Sequence, residues 1–98
     1  MSRCYVYIMT NKYKNVLYVG ATSNLKRRIS EHRSGKNRTF THKYNVSELV
    51  YAEEARDMTA AFEREKQLKN WHREWKINLI KSINPTMQDL SGDTRWNE

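Results

Sequence analysis

Two short aromatic and β-branched runs, Tyr5-Val6-Tyr7-Ile8 and Leu17-Tyr18-Val19-Gly20, stand on either side of a polar stretch from Asn11 to Asn15. Runs of this composition are strands. A link this short turns them back on each other as an antiparallel hairpin. That constraint sets the start of the fold. Along the first run Cys4, Val6 and Ile8 share one face and Tyr5, Tyr7 and Met9 the other. In the returning strand, Val16 to Gly20, the residues Val16, Tyr18 and Gly20 share a face.

The remaining segments follow from caps and breakers. Thr22 or Ser23 can cap a helix that runs to about Arg33 and ends at Ser34-Gly35. Residues 35–46 are polar and basic and read as a loop, and Glu48 to Glu53 reads as a third strand. Asp57 or Thr59 caps a helix to about Asn70, Trp71 to Ser82 forms another, and Asn84-Pro85 stops it. The order β-β-α-β-α-α predicts an α+β fold, a small antiparallel three-stranded sheet flanked by helices on at least one face. A chain of 98 residues predicts one domain, here residues 1–90 with 91–98 as a tail. Leu90 and Trp96 are the side chains able to dock the end of the chain.

Charge narrows the partner. There are 18 Lys and Arg against 11 Asp and Glu, a formal net charge of +7, which favours a polyanion. That polyanion is nucleic acid or an anionic membrane, with nucleic acid the expected one, and no apolar run approaches membrane-spanning length. The lone cysteine, Cys4, excludes an internal disulfide framework and suits a reducing cytoplasm. It alternates with Val6 and Ile8 and reads as a small buried hydrophobe.

Helical angles of about 100° per residue separate inward from outward polar residues. On the first helix Leu25 and Ile29 mark the apolar side. Arg28 and His32 fall on the same arc, whereas Arg27 and Glu31 point away. An inward arginine needs an ion pair or a charged ligand. On the next helix Met58, Ala61, Phe62 and Leu68 mark the stripe. Glu65 lies within it and Glu63 opposite, so Glu65 is the carboxylate that enters the protein, for a metal, a reaction or a pairing with a base such as Arg28. His32 is either a relay base or an edge histidine bonded to a backbone carbonyl. Trp71, Trp75 and Leu79, at four-residue spacing, read as core packing before a base-stacking surface. Lys36, Arg38, Phe40, His42, Lys43 and Tyr44 interleave bases with aromatics, which suits phosphate contacts with stacking on unpaired bases, or else a solvated loop.

The ordered set of Tyr5-Val6-Tyr7, Tyr18-Val19-Gly20, Arg28, His32 and Glu65 within Arg64-Glu65-Lys66-Gln67-Leu68-Lys69 resembles the GIY-YIG nuclease superfamily, in its small single-domain bacterial branch. Trp71 to Ile80, Asn84-Pro85 and Asp89-Leu90 extend the likeness over roughly residues 3–90. The resemblance implies hydrolysis of phosphodiester bonds in DNA. It implies Tyr18 as general base, Tyr7 as its orienting or phosphate-binding partner, and Arg28 as a phosphate clamp. It also implies Glu65 as ligand to one divalent ion, Mg²⁺ or Mn²⁺, with His32 as an alternative proton acceptor. Arg27 and the residues of the basic loop would bind the nucleic acid, and Asn84 would close the site. Two positions depart from the pattern: Tyr5 stands where the first element has glycine, and Ala21 where several relatives have lysine near the base. The second departure keeps open a different class of function, a nucleic-acid-binding module without catalysis.

Overall fold

The computed structural model describes residues 3–34 and 45–93. The basic-loop residues Lys36, Arg38, Phe40, His42, Lys43 and Tyr44, the helix stop expected at Gly35, and Trp96 with residues 94–98 of the expected tail lie outside the described residues.

The chain runs β1 (Cys4–Thr10), β2 (Leu17–Thr22), α1 (Leu25–Ser34), β3 (Glu48–Ala55), α2 (Met58–Lys69) and α3 (Arg73–Ile83). The sheet is antiparallel in the order β2-β1-β3, so the fold class and element order are those read from the sequence. β1 is central and every one of its residues is buried. Tyr5, Tyr7 and Met9 pack with Leu25 and Ile29 of α1 on one side. Cys4, Val6 and Ile8 pack with Ala61, Leu68 and Ile80 of α2 and α3 on the other. The sheet is therefore covered on both faces.

Local chemistry explains the boundaries. β2 begins one residue later than expected and continues through Thr22, because the loop is held by Asn11, whose Oδ1 accepts from Asn15 N and Val16 N. Thr22 is thus the last residue of a strand. The helix cap is Asn24, whose Oδ1 accepts from Arg27 N at 3.0 Å, and not Thr22 or Ser23. Asp57 caps α2 through Ala60 N at 2.8 Å. β3 is two residues longer than expected and carries an irregularity opposite Ile8 and Met9. A bulge of this kind puts two successive residues on one face, and Val50 and Tyr51 both enter the α2 side.

Two apolar residues depart from the helical reading. Phe62 was expected in the core stripe of α2 but is exposed, because Ala61 and Leu68 make the contact with the sheet. Trp75 is also exposed, and Ile80 takes the buried place on α3. Trp75 instead sets its ring edge against Trp71 and His72.

After α3, Asn84 donates from Nδ2 to Val50 O and Gln88 O and accepts from Gln88 N. Leu90 N then bonds Leu49 O at 2.7 Å. Asp89 accepts from Leu49 N and Ser91 N and pairs with Arg33 at 2.9 Å. Among the described residues no helix is long and apolar enough to cross a membrane.

Candidate active site

Tyr7 and Gly20 are partners across the β1–β2 ladder. A Cβ on residue 20 would stand 2.5 Å from both Cζ and Oη of Tyr7. The phenol therefore lies across the glycine, over the edge strand, and only hydrogen at position 20 leaves it room. β2 delivers Tyr18 beside it, with ring centroids 6.3 Å apart. α1 delivers His32, whose Nε2 is 2.9 Å from Tyr7 Oη. The imidazole also meets Tyr18 edge-on at 5.2 Å between centroids. Three of the residues singled out from the sequence thus form one cluster. His32 is bonded through Nε2 to the Tyr7 side chain.

Arg28 sits one turn before His32 on α1. Its guanidinium lies 3.7 Å from Glu31 Oε1. Glu31 was expected to point away, but it is turned inward, and Oε1 is buried without a hydrogen-bond partner. The signal was available in the sequence: an acidic residue three positions after an inward arginine is its helical neighbour. Gly20 was the other missed position, and a glycine inside a strand is a sign of close backbone approach.

Glu65 enters from the opposite layer. α2 packs across β1 and β2, and the Glu65 carboxylate is near enough to act electrostatically on the Tyr7 hydroxyl. It is one-fifth exposed and paired with Lys69 at 3.0 Å, not with Arg28. The two layers communicate electrostatically. Burial drives the Tyr7 hydroxyl well above the ordinary tyrosine range. Tyr18 adds to this, Arg28 opposes it, and Glu65 and Glu31 push further upward. His32 moves the other way: burial lowers its pKa, Arg28 lowers it further, and Glu31 opposes. Tyr7 and His32 are thus both neutral at pH 7 and share one hydrogen bond.

Arg27 is exposed on the outer side of α1. Asn84, expected to close the site, has both amide hydrogens committed to Val50 and Gln88 and serves the turn after α3. Among the described residues no group of three His, Cys, Asp or Glu converges on a point. A single partly exposed carboxylate does fit a hard ion of the Mg²⁺ kind, which keeps several waters and takes only one or two protein carboxylates beside a substrate phosphate.

The family model of the GIY-YIG catalytic domain matches residues 3–78. This chain belongs to the GIY-YIG family. A UPF0213 protein of Staphylococcus haemolyticus is 36% identical over 80 residues, covering 82% of this chain and 96% of that one. A UPF0213 protein of Syntrophus aciditrophicus is 38% identical over 82 residues, covering 83% and 93%. The solution structure of a UPF0213 protein from Bacillus halodurans shares the fold with a TM-score of 0.56 and 28% identity, covering 89% of this chain and 92% of that one. Membership of the GIY-YIG family makes this a domain of the nuclease type, with nucleic acid as its substrate class and a divalent metal as the family's usual cofactor.

Proposed function

We propose that the protein is a metal-dependent endonuclease that hydrolyses phosphodiester bonds in DNA. The observation that carries this reading is the Tyr7–Tyr18–His32 cluster at the β2 edge, coupled electrostatically to Arg28 from one layer and Glu65 from the other.

Each residue has a part suited to in-line displacement. Arg28 presents a planar fork to the non-bridging oxygens of the scissile phosphate and stabilises their growing charge. Tyr7, with its raised pKa, stays protonated. It cannot serve as a base, and its work is to hold the His32 ring through the 2.9 Å bond. Tyr18 would act as its phenolate, its own proton having passed first to solvent, and Oη would then take the proton of the attacking water, with the His32 ring packed edge-on fixing the phenol's direction. Glu65 would hold a Mg²⁺ or Mn²⁺ ion. Such an ion, when bound, supplies positive charge to the phosphoryl and leaving oxygens. Arg27 and the basic segment 36–44 would hold the DNA by its phosphates.

The test is cleavage of labelled single-stranded, duplex and branched DNA with Mg²⁺, with Mn²⁺ and with chelator, using the natural sequence beside Glu65→Ala. Metal-dependent cutting that is lost in Glu65→Ala is expected. Salt-sensitive binding with no cutting on any substrate would overturn the enzymatic reading in favour of a binding module.

A further inference from the structure

Phe62 is 55% exposed on a helix whose sheet-facing side is formed by the buried Ala61 and Leu68. It lies three residues before Glu65, four before Lys66 and seven before Lys69, so all four share one face of α2. Lys66 is exposed, and Lys69 reaches back to the Glu65 carboxylate at 3.0 Å. The face therefore joins a bare aromatic ring to two cations and to the Glu65 carboxylate. An exposed phenylalanine contributes nothing to the core at this site. A flat ring flanked by ammonium groups is complementary to a nucleotide: the base covers the ring and the phosphates meet the lysines.

We propose that this face of α2 is a strand-binding surface, on which Phe62 stacks an unpaired base of the substrate while Lys66 and Lys69 take the adjoining phosphates. The inference rests on the nuclease reading of the site and adds a substrate class to it, because stacking on Phe62 requires a base freed from its pair. Single-stranded nucleic acid, or a branched substrate with an unpaired arm, fits this surface, and a continuous duplex does not.

The experiment is fluorescence anisotropy of the full chain with a labelled oligothymidylate, its ribose counterpart and a duplex, all in chelator so that binding is read without cleavage. Phe62→Ala and Phe62→Leu should each weaken single-strand binding by about tenfold, the scale of one lost base stack, whereas Phe62→Tyr keeps it. Lys66→Ala should flatten the slope of log affinity against log salt by about 0.7, one phosphate contact on a single strand. Duplex affinity should change less than about twofold in the Phe62 variants, as should all affinities in Ile83→Ala, an equally exposed apolar residue on α3. Preference between the two oligonucleotides assigns the strand to DNA or RNA, and either supports the surface.

Single-strand binding by Phe62→Leu at parental strength overturns it. So does an equal loss on duplex, or a Phe62→Ala change that appears only as altered self-association in sedimentation. Adding Mn²⁺ to the same samples separates the two proposals. A parent that binds through Phe62 but cuts nothing upholds the surface and overturns the nuclease. A parent that cuts while the Phe62 variants bind and cut unchanged does the reverse.

Discussion

Gly20 stands directly opposite Tyr7 in the β1–β2 ladder, and the Tyr7 phenol occupies the space where a side chain at position 20 would begin. Gly20→Ala must push the ring aside, since its first methyl would lie 2.5 Å from Cζ and Oη. The ring is locked between α1 and the sheet, so it yields only with strain. Destabilisation of roughly 1–3 kcal/mol is expected in urea unfolding. The 2.9 Å bond to His32 should go with it. Adding Tyr7→Leu to Gly20→Ala should recover much of the stability and none of the cleavage. Full activity in Gly20→Ala would remove the Tyr7 position from the mechanism.

Tyr7 and Tyr18 divide into a fixed and a reacting hydroxyl. Tyr18→Phe should lower the cleavage rate by about 10²- to 10⁴-fold, the range for a lost general base, with DNA affinity unchanged. Tyr7→Phe should lose the bond to His32 and about 1 kcal/mol of stability, with a smaller fall in rate. Single-turnover kinetics separate the cases. An active Tyr18→Phe enzyme shifts proton acceptance to His32.

The imidazole of His32 carries a lowered pKa, because burial and the neighbouring Arg28 both disfavour the cation. The folded state therefore binds this proton more weakly than the unfolded chain. Its contribution to stability is complete above the unfolded value near 6.5 and is lost as pH falls through the folded value. Histidine ring signals in NMR should give a midpoint below about 6.5 for His32, and Arg28→Met should move it upward. A midpoint at or above the ordinary value would contradict the burial seen here.

A second polar network supports α2 from beneath. Arg64 Nε donates to both oxygens of Glu53 at 3.1 and 3.2 Å, Tyr51 Oη donates to Glu53 at 2.8 Å, and the guanidinium lies 5.2 Å from the Trp71 ring centre. Arg64→Met leaves Glu53 without its cation and should cost roughly 1–2 kcal/mol in urea unfolding. Burial and the bond to Glu53 raise the Tyr51 hydroxyl to about 12. This stabilisation is present below pH 10 or so and falls away as pH rises through the folded value. Tyr51→Phe should flatten the alkaline loss of stability between those limits.

Periodicity made the architecture legible because the elements are short and their apolar faces are distinct. The alternation in β1 assigned Tyr7 and Ile8 to opposite layers, and the arcs of α1 and α2 placed Arg28, His32 and Glu65 inward. What periodicity could not give was the width of each contact. α2 meets the sheet through Ala61 and Leu68, a narrow seam that leaves Phe62 in solvent, and α3 meets it through Ile80, which leaves Trp75 outside. Glu31 escaped because an angle on a helical wheel cannot say how far an arginine draws its neighbour inward. Gly20 escaped because a residue without a side chain enters no apolar pattern. A glycine within a strand hints at a close approach, and the Tyr7 ring that crosses it shows what approaches.

β1 is hydrogen-bonded along both of its edges and shielded on both of its faces. Its amides can exchange with solvent only when the whole molecule opens. Tyr7 is therefore anchored in the last part of the protein to come undone, whereas Arg28 and His32 ride on a ten-residue helix applied to one side. Heat or denaturant should dismantle the reaction centre from its periphery inward. Catalysis should fade while the tyrosine at its root is still in place.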